Sequence, residues 1–188
     1  MLSKICDMLK AIVLIGGASV RMGTDKFLIE ANGLPQYLHL HRMIEALGIS
    51  TYISCSAAQT DQIDQNIPYL IDEFASIGPI GGLATAIKHD PTSDWLVVAC
   101  DLINLQPETI KELVTIAPRK GVITFQREDI EFPETTITIY CQDVFTTVKQ
   151  AIRQKKYSLQ GVLKASDVQK ITPANPAQLK NVNTRADL

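Results

Sequence analysis

Cysteine is scarce in this chain and never clustered. The four cysteines, at 6, 55, 100 and 141, form no C-x-x-C pair, which argues against a zinc or thioredoxin-type site. Unpaired thiols fit a reducing cytosol. Long apolar runs are also missing. The run Ala11 to Ile15 is too short to span a bilayer or to serve as a signal-peptide core. A cytoplasmic protein with no membrane partner is therefore expected. No repeat or low-complexity stretch is visible, and neither sign of charge dominates. A formal net charge of −2 gives no reason to expect nucleic acid as a partner. What is present is a composition of 46% hydrophobic and 20% charged residues, which belongs to folded rather than disordered chains. A length of 188 residues predicts a single domain over 1–188, large enough to bury a core without disulfide or metal staples.

The near-zero charge conceals a polarity. Residues 149–188 hold eight Lys/Arg and two acids, a net of +6, leaving a net of −8 on residues 1–148. Such asymmetry is compatible with solvated helix faces and equally with a surface that meets an anion.

Apolar, β-branched runs at 10–15 and 95–100 have the pattern of strands buried on both faces. Further strands are expected at 50–54, 68–71, 121–125, 135–141 and 168–171. Helices are expected from Pro35 to a stop at Gly48, and over 83–88, 107–116, 143–154 and 158–165, with a final turn after Pro176. Residues 74–82 read as loop, and the charged segment 127–134 as a hairpin or exposed loop. Strands alternating with helices predict an α/β fold with a doubly wound, mainly parallel sheet, mixed near 135–141. In such sheets ligands bind outside the carboxyl ends of the strands. Three polar features follow predicted strand ends: the loop Gly16 to Lys26, Asp72 and Asp101.

The loop reads Gly16-Gly-Ala-Ser-Val-Arg-Met-Gly-Thr-Asp-Lys26. Glycines after a buried strand let backbone N–H groups approach a phosphate closely, and Arg21 and Lys26 add positive charge. The spacing is neither that of a P-loop, because Thr24 and Asp25 separate Gly23 from Lys26, nor G-x-G-x-x-G, because Gly16 and Gly17 are adjacent and residue 18 is Ala. Asp101 offers a hard oxygen ligand of the kind Mg²⁺ prefers.

The run from Leu14 to Lys26 resembles the L-x-G-G-x-S-x-R-M-G-x-D-K signature of the molybdenum cofactor guanylyltransferases (molybdopterin-guanine dinucleotide synthases of the MobA type). Leu70-Ile-Asp72, Gly78-Pro-Ile-Gly-Gly82 and Asn181-Val-Asn-Thr184 are similar to three further family segments in order and spacing. The resemblance implies a Rossmann-like nucleotidyltransferase fold. It implies transfer of GMP from GTP to the phosphate of molybdenum-loaded molybdopterin, with release of pyrophosphate and with Mg²⁺ as cofactor. By the same resemblance, Arg21, Lys26 and Asp101 are catalytic, and Asp101 and Asn183 hold the metal. The nucleotide would be bound by Leu14, Ile15, Gly16, Gly17, Lys26, Ser54, Asp72, Gly78 and Asp101. The cationic C-terminal quarter would face the acceptor phosphate, with Lys155, Lys156, Ser158 and Asn181 as acceptor residues. Other cofactor-assembly proteins or apo-molybdoenzymes are implied as partners.

The chain departs from the family in three places. Ser54 stands where many members carry Asn. Leu102-Ile103-Asn104 follows Asp101 where a Pro is usual, and Phe132-Pro133 replaces a common His-Pro. Two alternatives therefore stay open. One is a related nucleotidyltransferase using CTP or acting on a sugar or polyol phosphate. The other is a nucleotide-binding partner protein without catalysis. His39, His41 and His89 are expected at the surface or its boundary, not at a metal.

Overall fold

In a computed structural model, residues 8–16, 26–31, 33–74, 76–116 and 119–181 are described, with the side chains of Lys26 and Ala31 excepted. Strand β1 (Leu9–Leu14) leads past a 3₁₀ turn, Lys26–Leu28, to a two-stranded hairpin of β2 (Glu30–Ala31) and β3 (Leu34–Pro35). Helix α1 (Gln36–Glu45), β4 (Ser50–Cys55) and β5 (Tyr69–Ile71) follow. Next come α2 (Pro79–His89), β6 (Asp94–Ala99), α3 (Pro107–Val114), β7 (Val122–Phe125) and β8 (Ile137–Tyr140). The chain continues through α4 (Phe145–Arg153), α5 (Leu159–Lys164) and β9 (Val168–Ile171), with a 3₁₀ turn at Pro176–Leu179.

Seven strands form one sheet in the order β5-β4-β1-β6-β8-β7-β9. Only β8 runs against the others, pairing antiparallel with both β6 and β7. The expected mainly parallel sheet with a mixed region at 135–141 is thus what forms. The central strands are apolar on both faces because both faces are covered. Ala11 and Val13 of β1 point into a core shared with Leu40 and Ile44 of α1 and Ile110 and Leu113 of α3. Ile12 and Leu14 point the other way, onto Ile80 and Leu83 of α2, Val148 of α4 and Val162 of α5. The chain moves outward from β1 to β4 and β5, then returns to β6 on β1's other side. That reversal makes the β1/β6 crevice the topological switch point, where doubly wound sheets bind ligands.

Several expectations need correction. The segment 79–82 is not loop. Helix α2 starts at Pro79, because the fixed φ of proline suits a first helical position and Gly78 takes a φ of 78° before it. The β2–β3 hairpin, two residues per strand, is too short to leave a periodic signal. His41 is buried, not at the boundary, while His89 is exposed and His39 half-buried. Cys55, Cys100 and Cys141 are buried free thiols. Among the described residues no helix is long and apolar enough to cross a membrane.

Candidate active site at the carboxyl edge of the sheet

The ends of β1, β4 and β5 surround a cavity of about 170 Å³ whose lining includes Leu14, Gly16, Ser54, Asp72 and Gly78. Five residues separated by up to 64 positions in the chain are brought together because three parallel strands end side by side. The strand ends are laced by backbone bonds. The Ile15 N–H donates to the Ser54 carbonyl at 3.2 Å, and the Asp72 N–H to the Cys55 carbonyl at 2.8 Å. Ile15 contributes a buried side chain, and its carbonyl accepts from the Gln59 amide at 3.4 Å, so its backbone groups are engaged within the protein.

Asp72 is held from two sides. Its Oδ1 accepts the Phe74 N–H at 2.8 Å and the Thr85 hydroxyl at 3.1 Å. Thr85 sits two turns into α2 and was not singled out from the sequence. Its only sequence signal is a polar residue on the buried face of an apolar helix. The glycines of Gly78-Pro-Ile-Gly-Gly82 explain how α2 comes so close. A Cβ on Gly81 would lie 2.8 Å from the Phe74 carbonyl and 2.9 Å from Asp72 Oδ2. One on Gly82 would lie 2.5 Å from Leu14 and 2.7 Å from the Ser54 hydroxyl. Pro79, at the start of α2, lines the cavity, so the positive end of an eleven-residue helix opens on it, an arrangement suited to electronegative ligand atoms. Ser76, with φ at 69°, also lines it. A non-glycine residue in that region marks backbone strain of the kind that collects at ligand clamps. The Cys55 thiol is pushed up to about 11, first by burial and then by the Asp72 charge, so it stays protonated at neutral pH and is no nucleophile.

Asp101 is placed by β6. The Cys100 N–H donates to the Leu14 carbonyl at 3.1 Å, which fixes the β6 end against β1 and sets Asp101 at the switch point. The residue is half-buried, and its Oδ1 is shielded from solvent. It does not cap α3, whose N-cap is Gln106. Beside it lies Glu134, in the loop before β8. Burial raises the Glu134 carboxyl above the usual range; the Arg127 charge opposes this, and the Asp101 and Asp129 charges add to it. Among the described residues no group of three or more His, Cys, Asp or Glu could cage a metal. Mg²⁺ needs no cage, because it is commonly held by one or two carboxylates together with substrate phosphates and water. A half-buried aspartate at the mouth of the switch point fits that use.

The acceptor candidates lie on the other side of Asp101. Helix α4 ends in a Schellman turn, with the Lys155 N–H on the Ile152 carbonyl at 3.0 Å and the Lys156 N–H on the Ala151 carbonyl at 2.9 Å. Lys155 takes the left-handed position usually given to glycine, with φ at 57°. Both lysines are exposed. Ser158 is the N-cap of α5, its hydroxyl accepting the Gly161 N–H at 3.3 Å. The Gln160 amide donates to the Pro133 carbonyl at 2.6 Å, which draws the start of α5 against the 127–134 loop. Asn181 is exposed. Arg127 and Glu134 were passed over in the sequence as members of a charged loop; nothing in the local pattern marks a buried arginine there. Arg21, Gly17 and Asn183, and the side chain of Lys26, lie outside the described residues.

The model of the MobA-like NTP transferase domain matches residues 11–170. The molybdenum cofactor biosynthesis bifunctional protein of Synechocystis is 29% identical over 95% of this chain and 52% of its own length, so this chain spans about half of that relative. The molybdenum cofactor guanylyltransferase of Pseudomonas putida is 28% identical, over 92% of each chain. Among solved structures, molybdopterin-guanine dinucleotide biosynthesis protein A from Archaeoglobus fulgidus superposes with a TM-score of 0.75 at 18% identity, covering 95% of this chain and 94% of that one.

Proposed function

Because this chain belongs to the MobA-like NTP transferase domain family and is a nucleotidyltransferase, we propose that it transfers GMP from GTP to the terminal phosphate of molybdenum-loaded molybdopterin. The observation that carries the reading is the position of Asp101, locked against β1 by the Cys100–Leu14 bond and set between an enclosed neutral cavity and an open charged edge. The names of the relatives from Synechocystis and Pseudomonas supply the acceptor. Residues 1–188 act as one nucleotidyltransferase domain in this reading.

The guanosine half of GTP occupies the cavity at the ends of β1, β4 and β5. Leu14, Ile15, Gly16 and Gly17 present backbone to it, and Ser54, Asp72 and Gly78 contact the nucleoside. An acceptor phosphate oxygen attacks the α-phosphorus, the bond from that phosphorus to the bridging oxygen breaks, and pyrophosphate leaves with the electron pair. Lys26 lies on the α-phosphate and Arg21 on the departing phosphates, so the charge that accumulates in the displacement is offset by fixed cations. Asp101, with Asn183, holds Mg²⁺. When bound, that ion neutralises phosphate charge and aligns the two reactants. Lys155, Lys156, Ser158 and Asn181 receive the acceptor.

The test is pyrophosphate release with Mg²⁺, molybdenum-loaded molybdopterin and each of GTP, CTP and ATP. Turnover is expected with GTP alone, and Asp101→Asn is expected to lower kcat by about 100-fold or more. Preference for CTP would assign the chain to a cytidylyl branch. GTP binding without turnover would make it a non-catalytic partner.

A further inference from the structure

We propose that Arg127 is a positioning residue that holds the Glu134 side of the Asp101 site in register with the C-terminal segment leading to Asn181 and Asn183. The inference rests on the assignment of Asp101 as the metal carboxylate.

Arg127 lies two residues beyond β7, on the same carboxyl edge as Asp101, and is only 9% exposed. Its guanidinium reaches three segments. Nε donates to Asp129 Oδ1 at 2.9 Å and Nη2 to Asp129 Oδ2 at 2.5 Å, a two-pronged pair within its own loop. Nη1 donates to the Leu179 carbonyl at 3.4 Å and stands 3.8 Å from Glu134 Oε1. Glu134 in turn lies within electrostatic range of Asp101. Leu179 is buried in the core shared with α1 and α3 and stands two residues before Asn181 and four before Asn183. The same segment is tied to α3 by the Ala174 N–H on Glu112 at 3.1 Å. One side chain therefore links the β7 end, the loop bearing Glu134 and the start of the Asn181-Val-Asn-Thr stretch.

Stability alone is a poor reason for this arrangement. Removing a guanidinium from water costs several kcal/mol, and apolar packing commonly serves as well. The best-attested use of a buried ion pair is registration of parts that would otherwise slide. Lysine does not substitute, because a single ammonium lacks the planar fork that serves Asp129 and Leu179 together.

The test compares Arg127→Met and Arg127→Lys with the wild-type chain. Mn²⁺ binding is followed by electron paramagnetic resonance in the presence of GTP, steady-state kinetics are measured with both substrates, and amide exchange is read over 174–181. Both variants are expected to weaken Mn²⁺ binding and lower kcat by about 10-fold, with KM for GTP changed less than about 2-fold. Exchange should accelerate at 179–181. Unchanged Mn²⁺ affinity in both variants overturns the inference, whatever happens to thermal stability. So does full rescue of Mn²⁺ affinity and exchange protection by Arg127→Lys. If Asp101→Asn leaves Mn²⁺ binding intact, the metal assignment fails instead. If the wild-type chain turns over no nucleotide, the proposed reaction fails, while the Mn²⁺ spectrum and amide exchange still decide the role of Arg127.

Discussion

On the β5-β4-β1 side of Asp101 the carboxyl edge encloses about 170 Å³, and Asp72 is the one carboxylate among the lining residues. On the β8-β7-β9 side it opens to about 540 Å³ lined by Arg127, Glu128, Asp129 and Lys180 among others. The first side is shaped by parallel strand ends and by glycines that let α2 close on Asp72 and Ser54. The second is shaped by long charged side chains, and by exposed Phe132 and Tyr157 on neighbouring segments. The difference teaches how each side discriminates. The enclosed side selects by volume, so a single carbon matters there. The open side selects by charge, so salt and lysine number matter there.

Adding one carbon to the enclosed side should have the larger effect. In Gly81→Ala the new methyl meets a backbone carbonyl, which cannot rotate away, and displaces Asp72. Overpacking of this kind costs about 1–3 kcal/mol, so GTP affinity measured by calorimetry should fall roughly 10- to 100-fold, with acceptor KM little changed. If acceptor KM rises equally, the two sides are not separable. The converse change is Lys155→Ala with Lys156→Ala. Acceptor KM should rise roughly 10-fold, and its dependence on ionic strength should flatten; equal loss of GTP affinity would break the comparison. The smallest and sharpest change is Lys155→Gly. The left-handed conformation costs an L-residue about 1 kcal/mol or more that glycine avoids, so Tm should rise by about 2–4 °C while acceptor KM rises a few-fold. A variant that is more stable yet poorer with acceptor would show that this lysine is kept for its charge. A lower Tm would remove that argument.

Much of the enclosed side was legible in the sequence because its features are local. A buried β-branched run followed by Gly16-Gly17, and carboxylates just past strand ends at Asp72 and Asp101, announce themselves within a few residues. The start of α2 was misread because glycine and proline count as breakers, whereas here Gly78 and Pro79 begin the helix and Gly81 and Gly82 serve close packing. Thr85 was missed because its partner, Asp72, is thirteen residues away across a strand-to-helix turn. The open side was harder to read. Arg127 has one partner two residues off and another fifty-two residues off, and no periodicity records the second. His41 shows the same limit: helix α1 turns it inward, where desolvation lowers its pKa, although its neighbours in the chain look like a polar face.

Trp95 is the chain's single tryptophan. It is fully buried in the face covered by α2, α4 and α5, its ring edge-on to Tyr52 at 5.8 Å and its indole N–H donating to the Asp90 carbonyl at 3.0 Å. It sits near the amino end of β6, six residues from Asp101, a separation of about 20 Å along a strand. This makes the molecule its own fluorometer. Emission from one dry indole reports whether the sheet and its helices are assembled. At that distance it is blind to what binds at the opposite edge, so the same cuvette can separate a variant that has lost its fold from one that has lost only its ligand.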